Sequence, residues 1–176
     1  MDLCIIGTLF LFIINTPLIG GDGYCYTKWK NGRWVSIGNC KNPSADEFEG
    51  WYRASNGFYY KLFNDQVNYA TAKSDCQKRG ADLASAGVRD PTVRSEIMPL
   101  IKTGNYHTWI GLRKFEGKFI WADGVDSTEG NTDWYAEQPD NSGGDEDCVH
   151  FWPVDIWELN DVSCTRDMKY ICEARV

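Results

Sequence analysis

Apolar positions follow a different rule in each of three stretches of the chain. Residues 3–14 form an apolar run that Asn15, Thr16 and Pro17 stop. About a dozen residues fall short of the roughly 20 a membrane-spanning helix needs, so the run reads as the core of a secretory leader over 1–21. Small residues Gly20 and Gly21 stand at a plausible cleavage point, although Asp2 and no Lys or Arg precedes the run. Residues 22–50 alternate instead, at Tyr24, Tyr26, Lys28 and then Arg33, Val35, Ile37, around Asn31-Gly32. That pattern predicts a small β-hairpin module with an Asn-Gly turn.

The main domain, 51–176, mixes both periods. FYYKLF (58–63) is a strand by aromatic content. In NYATAKSDCQKRG, Tyr69, Ala72 and Cys76 recur at helical spacing, with Gly80 where a C-terminal cap belongs. A second helix starts at Asp90 as N-cap, with Pro91 in the first turn and Val93, Ile97, Leu100 and Ile101 inward. Pro99 is expected to shorten or kink it. After Gly104 the helical period disappears. TWIGL and KFIWADG read as strands around a tight Glu116-Gly117 turn, and CVHFW, WELNDVSC and KYICEA as three further short strands. The class is therefore α+β: two helices packed on small antiparallel sheets, with a long Gly- and acid-rich excursion over 125–160.

Composition narrows the function. Aromatics reach 14 % and the net charge is −7. Such a chain packs a core and offers no basic patch for a nucleic acid. Removing the leader removes Cys4 and leaves Cys25, Cys40, Cys76, Cys148, Cys164 and Cys172. An even set in an oxidising compartment points to disulfides, with fifteen pairings open to six cysteines. Bridging Cys25 to Cys40, which flank the hairpin, would staple a unit too small for its own core. Chain-wide, there is no CxxC pair, no HExxH and no N-glycosylation sequon.

The chemistry concentrates in EQPDNSGGDEDCVHFWPVDIWELND, residues 137–161. It holds eight acidic residues, and no Lys or Arg occurs between Lys118 and Arg166. A solvated acidic loop is the bland reading. Two details argue for a cation. Amide and carboxylate oxygens alternate at Gln138 and Asp140 and again at Asn160 and Asp161, with Glu146 between. Mixed hard oxygens of this kind suit Ca²⁺. Pro139 also stands between the first pair, where a cis peptide could turn both oxygens toward one point.

The ordered series AKSDCQKRGADLAS, WIGL, FIWADG, QPD, GGDEDC, LNDVSC and YICE resembles the C-type lectin domain over residues 51–174. The resemblance implies disulfides Cys76–Cys172 and Cys148–Cys164, leaving Cys25–Cys40 by elimination. It implies one Ca²⁺ held by Gln138, Asp140, Glu146, Asn160 and Asp161, with the same five residues binding carbohydrate. In that family Gln-Pro-Asp goes with galactose or N-acetylgalactosamine. The chain departs from the pattern in having Leu159 where Trp is usual, and Asn141 where galactose-type members usually place a ring-stacking Trp. Trp134, Trp152 and Trp157 are the alternative stacking rings, each with a core reading beside it. A second calcium site, using Glu116, Glu146 and Asp147, is expected to be weak or absent.

Three functions follow for comparison: a secreted calcium-dependent lectin, an interaction module binding a protein or other non-sugar ligand on the same fold, and an enzyme. Retention of all five ligand positions favours the first. With only His107 and His150 available and no nucleophile elbow, an enzyme is not expected. His150 reads as structural or solvent-facing. No heptad neck indicates an oligomer.

Overall fold

A computed structural model describes residues 25–30, 33–38, 45–153 and 157–175. The chain divides into two compact units, Met1–Asn42 and Pro43–Val176. In the smaller, β1 (Cys25–Lys30) and β2 (Arg33–Gly38) pair antiparallel, with Lys30 opposite Arg33. The expected Asn31-Gly32 turn between them lies outside the described residues. The leader, and Cys40 with its expected bridge to Cys25, lie outside the described residues.

The larger unit begins before the expected boundary at Trp51. Phe48, at the end of a 3₁₀ turn over Ala45–Phe48, is buried against Trp51 and Tyr59 and so belongs with it. Its elements are β3 (Tyr52–Arg53), β4 (Tyr59–Val67), α1 (Tyr69–Lys78), β5 (Asp82–Leu83) and the one-turn α2 (Ala86–Arg89). Then come α3 (Pro91–Gly104), β6 (Thr108–Phe115), β7 (Lys118–Trp121), β8 (Cys148–Phe151), β9 (Leu159–Val162) and β10 (Met168–Ala174).

Local chemistry explains both long helices. Asn68 caps α1 by accepting from the Thr71 amide at 2.9 Å. At its other end Gly80, with φ +73°, lets the Gly80 and Ala81 amides return to the Gln77 and Cys76 carbonyls. Asp90 caps α3 by accepting from Thr92 and Val93, an interaction typically worth about 1 kcal/mol. Pro99 does not shorten α3, which runs on to Gly104. Ser95, whose carbonyl loses its partner four residues on, is exposed like Pro99 itself, so water can satisfy it.

The strands form one connected sheet in the order β3-β4-β10-β6-β8-β9, with β5 on β10 and β7 on β6. Small antiparallel sheets were the expectation. The junction is a parallel pairing of β10 with β6, Lys169 opposite Thr108 and Tyr170 opposite Trp109. One apolar cluster lies between α3 and the β6–β9 strands, including Ile97, Ile101, Ile110, Phe151 and Leu159. A second surrounds α1, with Tyr69, Ala72, Cys76, Trp109 and Cys172. The bridges Cys76–Cys172 and Cys148–Cys164 are both formed. The first ties α1 to β10; the second ties the start of β8 to the segment after β9.

Candidate functional site

The acidic loop is carried by β8 and β9. Their ladder sets Val149 opposite Asp161 and His150 opposite Asn160. The segment before β8 is stitched to the same strand: the Leu159 amide donates to the Asp133 carbonyl, and Tyr135 donates to the Leu159 carbonyl at 2.9 Å. From α3, Arg94 reaches across to Asp133 at 2.6 Å and to the Trp157 carbonyl at 3.1 Å, with its guanidinium 5.2 Å from the Phe151 ring centre. Neither Arg94 nor Asp133 stands out by sequence spacing, because the pair is separated by 39 positions. Periodicity could place Arg94 on α3 but not its partner.

Within this frame Asp140, Glu146 and Asp161 converge, each offering an oxygen within 4.8 Å of the other two. Asp161 is fully buried, Glu146 half-buried and Asp140 exposed. Backbone amides hold them. Asp161 accepts from Asp140 N at 3.2 Å and Asn141 N at 3.0 Å. Glu146 accepts from Ser142 N at 2.7 Å, and Ser142 N also approaches Asp140 Oδ1 at 3.1 Å. Asn141 is the pivot. It adopts the left-handed region at φ 49°, and its side-chain oxygen accepts from Glu146 N at 3.0 Å. Sequence reasoning saw Asn141 only as a missing ring. An Asn ahead of Ser-Gly-Gly was the available signal, since Asn tolerates that backbone region.

The other two expected ligands flank this trio. The Gln138-Pro139 peptide is cis, and Gln138 Oε1 lies 3.2 Å from Asp140 N. Asn160 sends its side-chain NH₂ to the Asp161 carbonyl at 2.6 Å and to His150 Nε2 at 3.3 Å. His150 is buried, with Nδ1 2.8 Å from the Phe151 carbonyl and 3.4 Å from His107 Nδ1. Donation from Nδ1 to that carbonyl leaves Nε2 as the acceptor for Asn160. Burial holds its pKa down to about 4, assisted by His107 and Arg166, so the ring is neutral.

Electrostatics favours a cation in the trio. Burial pushes both Glu146 and Asp161 up, and neighbouring carboxylates add to it: Asp161 and Asp140 around Glu146, Asp140 beside Asp161. No basic side chain hydrogen-bonds any of the three among the described residues. Hard oxygens, three of them anionic and convergent, are the donor set Ca²⁺ prefers. The residues present therefore fit the ion.

The tryptophans sort by burial. Trp157 and Leu159 are both buried, so Leu159 takes up the core position where the lectin pattern carries Trp. Trp134 packs on Phe119 at 5.0 Å. Trp152 is half-buried against Tyr135.

Comparison with known proteins identifies the family. Residues 65–174 match the lectin C-type domain model. A hepatic lectin of Gallus gallus is 31 % identical over 74 % of this chain. The match spans 61 % of that protein, less than two thirds of its length. A "C-type lectin galactose-binding isoform" of Pseudechis australis is 36 % identical over 68 % of this chain and 78 % of its own. The solved structure of TC14, a C-type lectin from the tunicate Polyandrocarpa misakiensis, superposes with a TM-score of 0.61 at 28 % identity, covering 68 % of this chain and 98 % of that one. The chain belongs to the C-type lectin domain family.

Proposed function

We propose that the domain is a calcium-dependent carbohydrate-binding lectin selective for galactose or N-acetylgalactosamine. The observation that carries the reading is the convergence of Asp140, Glu146 and Asp161 within 4.8 Å, with no basic side chain hydrogen-bonded to them among the described residues. Gln138 and Asn160 complete the ligand set, and two vicinal sugar hydroxyls fill the remaining positions on the ion. The same side chains hydrogen-bond those hydroxyls, since carboxylates accept and amide NH₂ groups donate. Three carboxylates against one divalent ion leave a net charge near −1, so affinity belongs to the range of about 10⁻⁴–10⁻³ M typical of extracellular modules.

Gln138-Pro139-Asp140 supports the galactose preference, as does the similarity to a protein whose name records galactose binding. Amide and carboxylate at the two ends of this motif fix where donors and acceptors lie around the ion, and so which hydroxyl pair fits. Asn141, in place of a ring, makes that preference modest. A leader over 1–21 and a Cys25–Cys40-stapled hairpin module ahead of the lectin domain complete the proposal, for a protein secreted from the cell. Among the described residues no helix is long and apolar enough to cross a membrane. As a non-sugar interaction module the chain would have no use for five intact ligand positions.

The test is competition by galactose and by mannose for an immobilised galactosyl glycan, run in calcium and in chelator. Binding lost in chelator and inhibited better by galactose is the expected outcome, shifting toward mannose in Gln138→Glu/Asp140→Asn. Equal binding in chelator overturns calcium dependence. A wild type that prefers mannose, or a double variant that does not shift, overturns the role of the motif.

A further inference from the structure

Resting on that reading, we propose that Arg94 is a positioning residue for the calcium site: it clamps the two chain branches that deliver the ligands and so sets calcium affinity from α3 without touching the ion. One branch runs from Asp133 to Asp140 and carries Gln138 and Asp140. The other runs from Trp157 to Asp161 and carries Asn160 and Asp161. Glu146 comes from neither, being held by Ser142 N and tied through its own amide to the Asn141 side chain. Without the ion, like charge sets the branches against each other, since Asp140 and Asp161 offer carboxylate oxygens within 4.8 Å.

Arg94 meets both branches with one fork. Its Nη1 donates to Asp133 Oδ2 at 2.6 Å and its Nη2 to the Trp157 carbonyl at 3.1 Å. A planar guanidinium fixes the angle between two such contacts, as a single ammonium does not. The arginine is itself held: its side chain is 14 % exposed, with the guanidinium 5.2 Å from the Phe151 ring centre, whereas Asp133 is 69 % exposed. Asp133 is therefore the partner drawn in, and α3 is the anchor. Trp157 needs such a hold. It adopts φ 54°, left-handed backbone that a bulky residue keeps only where its surroundings impose it. Both grips pass directly to ligands. The Leu159 amide, next to Asn160, donates to the Asp133 carbonyl at 3.2 Å, and Gln138 N donates to the Tyr135 carbonyl at 2.9 Å. Holding the branches beforehand lowers the ordering cost of binding calcium.

The sign of the effect tells a clamp from a charge. Removing a cation beside an acidic loop would by Coulomb's law alone tighten calcium; removing a clamp loosens it. Arg94→Met should raise the calcium dissociation constant about two- to ten-fold, read by calorimetry without sugar at a temperature where near-UV circular dichroism shows the variant folded. In saturating calcium its galactose affinity should stay within about two-fold of wild type, because the ion then holds the branches itself. Arg94→Lys keeps the charge but not the fork, so it should recover only part of the loss. Calcium bound by Arg94→Met as tightly as by wild type, or more tightly, overturns the proposal. Full recovery in Arg94→Lys overturns it too, as does a galactose affinity that stays low in saturating calcium. A wild type that binds calcium but no sugar overturns the lectin reading alone, since the clamp is read from calcium affinity; one that binds no calcium overturns both.

Discussion

Asp161→Asn preserves shape and removes one of three convergent charges. In the metal-free domain two effects oppose each other. Asn keeps one acceptor oxygen but turns an NH₂ toward one of the two amides, Asp140 N or Asn141 N, that Asp161 now satisfies. An unmatched buried donor costs about 1–3 kcal/mol. Against that, repulsion at separations up to 4.8 Å is relieved, worth about 1–2 kcal/mol per neighbour because Asp140 and Glu146 stay open to water. These terms nearly cancel, so melting in chelator should move little. Calcium breaks the tie. At 5 mM Ca²⁺ and a dissociation constant near 0.5 mM, the wild type gains RT ln(1 + [L]/Kd), roughly 1.4 kcal/mol. For a domain of this size that is a rise of about 3–6 °C. A ten-fold weaker site leaves about 0.4 kcal/mol, or roughly 1 °C. Scanning calorimetry of wild type, Asp161→Asn and Glu129→Gln, each with calcium and with chelator, measures all three. Glu129 is exposed, acidic and outside the trio, so its variant should keep the full rise. Asp161→Asn that keeps the wild-type rise, or Glu129→Gln that loses it equally, refutes a site built on Asp161.

Neutral His150 makes stability fall with acid: its folded pKa is near 4 against an ordinary 6.5, so the unfolded chain binds the extra proton and about 3 kcal/mol is lost between those values. His107, whose pKa burial also holds down, adds to that loss, while Glu146 and Asp161 run the opposite way in chelator, because raised folded pKa values add stability as pH falls; urea titrations from pH 7 to 4.5 should therefore show a shallower acid loss in His150→Gln than in wild type. An unchanged pH slope in that variant would count against the buried neutral ring. Removing the Cys148–Cys164 bridge, which closes a separation of 16 residues, should cost about 3 kcal/mol and lower calcium affinity, because it braces β8 to the segment after β9; calcium titration of Cys148→Ser/Cys164→Ser with an unchanged midpoint would exclude the second effect. Arg94→Met keeps much of the apolar stem but abandons Asp133 and the Trp157 carbonyl, with an expected loss of about 1–3 kcal/mol and faster amide exchange at Leu159, whose hydrogen bond is to Asp133; protection equal to wild type there would show that the loop does not depend on α3.

Much of this protein is legible from local chemistry. Asn68 and Gly80 bound α1, and Asp90 with Pro91 opens α3, because caps act within one turn and need no distant partner. The strands β6 to β10 follow short apolar runs, and Gln138, Asp140, Glu146, Asn160 and Asp161 are visible as a spaced series of hard oxygens. What lay beyond the sequence depends on contacts made across long separations. The parallel pairing of β10 with β6 joins what looked like separate sheets, and nothing in either strand's own pattern announces its neighbour. Pro99 shortens nothing because the face it interrupts is the solvent face, a fact of packing. The spacing of the five ligands names oxygens but not their convergence; only the β8–β9 register, the left-handed turn at Asn141 and the pin from Arg94 bring Asp140 to Asp161. Three tryptophans were equal candidates for the sugar face by sequence. Tertiary burial withdrew Trp157 and left Trp134 and Trp152 half-buried, one packed on Phe119 and the other on Tyr135, since hydrophobicity alone does not tell a ring that fills a core from one at its edge.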